Sequence, residues 1–169
     1  PTSHFLVALS TILILWFGGN MVLRGEITLG EMVAFNSYLM IGMAPVKDHH
    51  RSGASMIMKN WYGLLGGRRN IFHQDIHTII KELAMMIKPT LVVLDGTTTM
   101  MHNGPTGGSL SDLKNTHTMI VSTDQVAADA YGATLLDRTV ADLPFIKKAE
   151  AAGLGTADFR SLNPVMESL

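Results

Sequence analysis

The chain has 169 residues, enough for one ordinary domain with a sizeable core, or for a smaller domain plus an appendage. Its formal net charge of −1, with basic doublets only at Arg68-Arg69 and Lys147-Lys148, provides no electrostatic footprint for nucleic acid. The absence of cysteine excludes disulfides, thiol catalysis and any cysteine-ligated zinc or iron–sulfur cluster within the chain, and no other cofactor is implied.

Apolar residues make up 47% and charged residues 16%, where a soluble domain typically carries about 25% charged residues. The deficit is concentrated before Pro45, where Arg24, Glu26 and Glu31 are the only charges. Two regions are therefore expected: residues 1–44, an apolar helical hairpin, and residues 45–169, a partial α/β domain. The run that begins at Phe5 lacks a basic leader and a small-residue cleavage site, so a fragment is expected rather than a signal peptide.

Phe5 to Phe17 is apolar apart from Ser10 and Thr11, and its 13 residues fall short of the roughly 20 that span a bilayer. It fits a membrane helix cut at its start or a buried core helix. Arg24-Gly25-Glu26 makes a polar turn, and Thr28 with Glu31 forms a capping box for a helix from about Gly30 to Met43, which Pro45 stops. The stretch from Leu15 to Leu39, with its Gly18-Gly19, Arg24-Gly25, Thr28-Leu29-Gly30 and Val33-Ala34-Phe35, resembles the turn between the fifth and sixth transmembrane helices of ATP-binding-cassette exporters. The apolar content of Phe5 to Met43 supports a membrane contact through residues 5–43. Transport by the chain itself is excluded, since the G-x-x-x-x-G-K-[ST] phosphate loop occurs nowhere.

After Pro45, Ala54 to Met58 reads as a short strand. Asn70 can cap a helix over Ile71 to Ile87, whose stripe of Phe72, Ile76, Ile79, Ile80, Leu83 and Ile87 has helical spacing, and Lys88-Pro89 ends it. Thr90 to Leu94 predicts a strand ending at Asp95-Gly96, and Thr118 to Val121 one ending at Ser122-Thr123-Asp124. Ser122 with Gln125 forms a second capping box, for a helix from about Thr123 to Leu136. A short helix over Pro144 to Ala152 precedes an irregular tail. This order predicts an α/β layered domain with a short, mostly parallel sheet.

Such sheets place ligands outside the carboxyl ends of their strands. Asp95 and Asp124 stand at the predicted strand ends, as candidate proton or hydroxyl acceptors. Asn103, Gly104, Gly107 and Gly108 form a loop whose amides could approach an anion, with Lys47 and Lys59 as partner charges. His73 and His77, four residues apart on the predicted helix, form a weaker candidate metal pair. Asp48-His49-His50 could add ligands, but spacing fixes no third one, and Gln74 stands where an H-E-x-x-H motif has its acid.

The segments Pro45-Val46-Lys47-Asp48-His49, Met58-Lys59-Asn60-Trp61-Tyr62-Gly63, His73-Gln74-Asp75-Ile76-His77, Asn103-Gly104-Pro105 and Ser122 to Ala130 together resemble the family termed domain of unknown function 362. The resemblance implies an α/β protein of unestablished role, in a family where some members carry iron–sulfur centres linked to electron transfer. It points to Lys47, Asp48, His49, Lys59, Asn60, Asp95, Asn103, Gly104 and Asp124 as site residues. The leading expectation is an α/β domain with a small-anion site at its strand ends, with catalysis left open. The alternatives are a membrane-anchored transporter fragment without an ATPase, and a chimera without function. The location is accordingly membrane-associated or cytoplasmic.

Overall fold

The computed structural model describes residues 2–32 and 40–167, and among these the side chains of 12–13, 15–32, 40–68 and 71–167. The chain forms two compact units, Pro1–Leu39 and Met40–Leu169.

In the first unit the apolar run lies in α1 (Thr2–Leu23), which ends at a turn where Gly25 takes a φ of 71°. Thr28 and Glu31 close the capping box read from the sequence. The Thr28 amide donates to Glu31 Oε2 at 2.7 Å, and the Glu31 amide donates to Thr28 Oγ1 at 3.1 Å. Both the backbone and the side chain of Thr28 hold the Glu31 carboxyl below the usual carboxylate range. Helical residues 29–32 follow. Most of the rest of the expected second helix, residues 33–39, lies outside the described residues. Its predicted end does not hold, because Ile41 to Met43 are already strand. Ile12, Leu15, Trp16 and Phe17 are exposed. Among the described residues no helix is long and apolar enough to cross a membrane.

The second unit is built on four strands, β1 (Ile41–His49), β2 (Gly53–Ser55), β3 (Leu91–Met100) and β4 (Leu113–Ser122), in the order β2-β1-β3-β4. The α/β class read from the sequence is found. The mostly parallel sheet is not: β1–β3 is parallel, whereas β1–β2 and β3–β4 are antiparallel. Parallel neighbours need a crossover, which a helical segment between β1 and β3 supplies, while β3 and β4 are joined by a loop without an α-helix and pair as a long hairpin.

Pro45, read as a helix stop and a junction, lies inside β1 at the start of an irregularity between Pro45 and Lys47. β2 pairs only with Lys47 to His49, so the missing amide of Pro45 breaks no ladder with β2. Ala54 to Met58 is a strand only as far as Ser55; α2 (Ile57–Asn60) follows and continues into a 3-10 turn, Trp61–Leu64. The long helix predicted from Ile71 divides into a 3-10 turn, Arg69–His73, and α3 (Ile76–Met86). Its cap is Asp75, which accepts from the Thr78 amide, and not Asn70. α4 (Gln125–Leu135) is capped by Asp124 rather than Ser122, whose hydroxyl accepts from the Asp124 amide instead. α5 (Pro144–Ala151) ends close to its predicted position.

The helices bury one face of the sheet. Val46, Val92 and Leu94 pack with Met56, Ile57, Ile80, Val126, Phe145 and Ile146, all at most 1% exposed. Fully burying side chains of this size contributes about 1.5–3 kcal/mol each. On the opposite face Ile41, Met43, Met119 and Val121 remain exposed.

Candidate functional site

The carboxyl end of β1 carries Asp48 and His49, both buried, followed by the exposed His50. Asp48 acts as a junction. Its Oδ1 accepts from Arg138 Nη2 at 2.6 Å and its Oδ2 from the Gly104 amide at 3.1 Å. The second contact requires a glycine, because a Cβ at position 104 would stand 1.8 Å from the Asp48 carbonyl oxygen. The Gly104–Pro105 peptide is cis. Asp48 therefore joins β1 to the glycine loop and to the segment after α4.

His49 has a fixed tautomer. Its Nδ1 accepts from the amides of Arg51 and Ser52, both at 3.2 Å, so the ring proton is on Nε2. Burial, reinforced by Lys59, His50 and His73, pushes its pKa down to about 4, with Asp48 opposing. The His50 ring stacks on His49 with centroids 5.0 Å apart and planes 8° apart, and His73 lies 6.2 Å from His49 at 18°. His50 Nδ1 faces the Gly104 carbonyl at 3.4 Å. Tyr62 meets His73 edge-on at 5.1 Å, and the buried Lys59 places Nζ 3.9 Å from the centre of the Tyr62 ring. Burial raises the Tyr62 phenol to about 12, so it stays protonated and its hydroxyl donates to the Phe72 carbonyl at 3.0 Å.

Two side chains one turn apart on α4 hold the segment that carries Lys59 and Tyr62. Asp129, fully buried, accepts from the amides of Ile57 (2.8 Å) and Met58 (3.1 Å), and so caps α2. Gln125 accepts from Trp61 Nε1 at 3.0 Å and donates to the Ala84 carbonyl at 3.2 Å. Burial raises the Asp129 carboxyl to about 7, against the pull of the two amides.

Other expected site residues are brought elsewhere. Asp95 lies within β3 rather than at its end, exposed, and accepts from the amide and hydroxyl of Thr97. Asp124 Oδ1 accepts from the amides of Val126 and Ala127, and its Oδ2 from the Thr156 amide, so its carboxylate ties the helix start to the tail. The glycine loop already holds an anion of its own: Asp112 accepts from Asn103 Nδ2 (2.8 Å), the Gly108 amide (3.2 Å) and the Ser109 amide (3.0 Å). The Gly107 amide bonds the Asn103 carbonyl. Asn60 Nδ2 donates to the Met43 carbonyl, and Lys47 is half-buried on β1 two residues before His49. His77 is separated from His73 by the Asp75 cap and stacks on Phe145 at 6.2 Å, so the two do not form a pair. Among the described residues no group of acids and histidines is placed to hold a metal ion.

Lys59 and His49 thus converge with His50, His73 and Tyr62; the sequence reading had joined the histidines only as possible metal ligands and had left Lys59 and Tyr62 apart from them. A groove of about 740 Å³ runs along β4 and the tail, lined by Met119, Ile120, Val121, Tyr131, Phe159 and Leu162 among others. It shares no residue with the histidine cluster, and its mixed lining carries no comparable concentration of chemistry.

The family described as Domain of unknown function (DUF362) matches residues 22–134. The chain belongs to this family. The DUF362 match takes in β1 to β4, the histidine cluster and most of α4, and it runs across Pro45 into the segment that carries the exporter-like pattern. The exporter resemblance itself finds no support in these comparisons. No match was found among curated proteins or among solved structures.

Proposed function

We propose that this DUF362 chain binds a small anionic ligand at the carboxyl end of β1, between Lys59 and the rings of His49, His50 and His73. The observation that carries the reading is the convergence of these four groups, three rings in one stack beside a buried lysine. The acid closest in sequence, Asp48, is turned to Arg138 and the Gly104 amide. His49 Nε2–H is a neutral donor, and Lys59 supplies a charge whose effect grows in partly desolvated surroundings. The glycine-loop amides of Gly104 and Gly108 act through the protein's own Asp48 and Asp112 and hold the site in place rather than holding the ligand. The cluster assigns no reaction, and the reading is one of binding.

Titration calorimetry with inorganic sulfate tests it. The parent chain binds, and Lys59→Met weakens binding at least about tenfold, which corresponds to roughly 1.4 kcal/mol. Equal affinity in parent and variant, with both folded, would remove the reading.

A further inference from the structure

We infer that the free edge of β4 is an interface between two copies of this chain, in which residues 118–122 of each copy pair antiparallel and join the two sheets into one. The inference is independent of the anion site.

β4 is the outermost strand on one side of the sheet, and the ladder fixes which of its backbone groups look outward. The Leu91 amide donates to the Met40 carbonyl, so Leu91 turns its backbone groups toward β1. By the alternation of a strand, Val92 and Leu94 turn theirs toward β4. Their partners Ser122 and Ile120 therefore bond β3, and Met119 and Val121 present both amide and carbonyl to the open edge. Among the described residues no strand pairs with that edge. β2, at the other side of the sheet, has three residues and is too short to serve as a comparable template.

The segment itself lacks the charges and prolines that ordinarily blunt an edge. Residues 115–123 include no lysine, arginine, acid, proline or glycine. The register shift between Gly96 and Thr98, with the positive φ of His117 (46°), confines the regular edge to residues 118–122.

Self-complementarity selects a second copy as the occupant. In a two-fold pairing centred on Ile120, Met119 of each copy faces Val121 of the other, and each such pair exchanges bonds in both directions. Met119 and Val121, each 60% exposed, become apolar cross-strand neighbours on the uncovered face of the sheet. On the other face, Ile120 of the incoming strand meets the groove lined by Ile120, Tyr131, Phe159 and Leu162. Charge agrees with this direction: antiparallel pairing sets the Lys114 end of one copy toward the Asp124 end of the other. Lys114 also meets Asp137 at 3.2 Å, in an exposed pair that contributes little. A second copy brings its strand already extended, whereas a free peptide loses freedom when it is ordered. A contact of this length falls short of the roughly 20–30 residues a side of a standard interface, so the dimer forms in a concentration-dependent way.

Sedimentation velocity of the full chain between about 1 and about 500 µM, with amide exchange followed by NMR over the same range, tests the pairing. The expected result is a shift from monomer to dimer. Exchange at Met119 and Val121 slows with it, while Ile120 and Ser122 are slow throughout. Val121→Pro removes only an outward amide and is expected to give a folded monomer, whereas Val121→Thr keeps the amide and still dimerises. Met119→Lys, which places a charge on the edge without touching the backbone, is expected to weaken the dimer at least about tenfold. A chain that stays monomeric throughout would overturn the inference. So would a dimer in which the Met119 and Val121 amides still exchange fast, since its contact would lie elsewhere, on the uncovered sheet face or on α1. Slow exchange of both amides in a monomer would assign the edge to the chain's own tail and overturn it as well.

Discussion

Removing the Asp129 carboxylate perturbs the site without touching it. The side chain is fully buried and accepts from the amides of Ile57 and Met58, the first two residues of the short helix that carries Lys59. Asp129→Ala leaves two buried amides without partners, and each costs about 1–3 kcal/mol, so a loss of roughly 2–6 kcal/mol in unfolding free energy is expected. Asp129→Asn keeps one acceptor oxygen and is expected to fall between Ala and the parent. A pH signature separates this account from simple packing loss. The folded carboxyl titrates at about 7, above the ordinary value of 3.8, so its protonated form is favoured by folding. That contribution is fully present below the ordinary carboxyl range and is lost as pH rises through about 7, with a slope of at most about 1.4 kcal/mol per pH unit. Chemical denaturation of parent and Asp129→Asn between about pH 5 and about pH 8 isolates it as the difference between two profiles. The Asn variant should lose most relative to the parent at the acid end, and least at the alkaline end. An Asp129→Ala loss below about 1 kcal/mol, or parallel pH profiles, would refute the capping argument.

Gly104→Ala is expected to destabilise by about 1–3 kcal/mol or more, because the added Cβ would stand 1.8 Å from the Asp48 carbonyl oxygen; the denaturation midpoint reads this directly. Arg138→Met leaves the Asp48 carboxylate buried with only the Gly104 amide, and a loss of about 1–3 kcal/mol is expected, with a double-mutant cycle against Asp48→Asn reporting the coupling. His49 should remain the neutral Nε2–H tautomer down to about pH 5, as read from its imidazole nitrogen shifts. Its folded pKa is lowered to about 4, so its stabilising contribution is present above the ordinary histidine value and lost as pH falls toward about 4. Asp124→Ala removes the cap of α4 together with the Thr156 contact, at a cost of about 1–2 kcal/mol, and hydrogen exchange at Thr156 should accelerate.

How far the sequence speaks depends on whether a signal is local. The Thr28–Glu31 box depends on neighbours three residues apart, and it forms as read. The apolar stripe of α3 was legible for the same reason. Its cap was not, because Asn70 and Asp75 are both good caps, and residues 69–73 form a 3-10 turn whose His73 stacks toward His49 and Tyr62. Pro45 carries a strong local stop signal, yet it sits at a strand irregularity whose other edge is unpaired by β2, and only the tertiary arrangement reveals that. The polar run Asp95 to Thr99 looked like a strand end. It continues as strand because one face is largely uncovered and threonine suits a pleated surface. Asp112 was the residue of the glycine loop that the sequence reading passed over: Ser109-x-x-Asp112 has capping-box spacing, which accounts for its hold on the Ser109 amide, while its contact with the Gly108 amide depends on the fold of the loop. The histidine cluster was half visible in Asp48-His49-His50. Its third ring comes from 24 residues later, at His73, across a segment that Gln125 and Asp129 hold against α4 and that Tyr62 ties to Phe72, contacts that no local spacing announces.

The most direct test of the anion site is to follow the side-chain nitrogen resonances of His49, His50 and His73 by NMR during a sulfate titration. The account predicts saturable shifts of all three rings with one common affinity, and a weaker affinity in Lys59→Met. Rings that stay unmoved while sulfate shifts resonances elsewhere in the chain would contradict it.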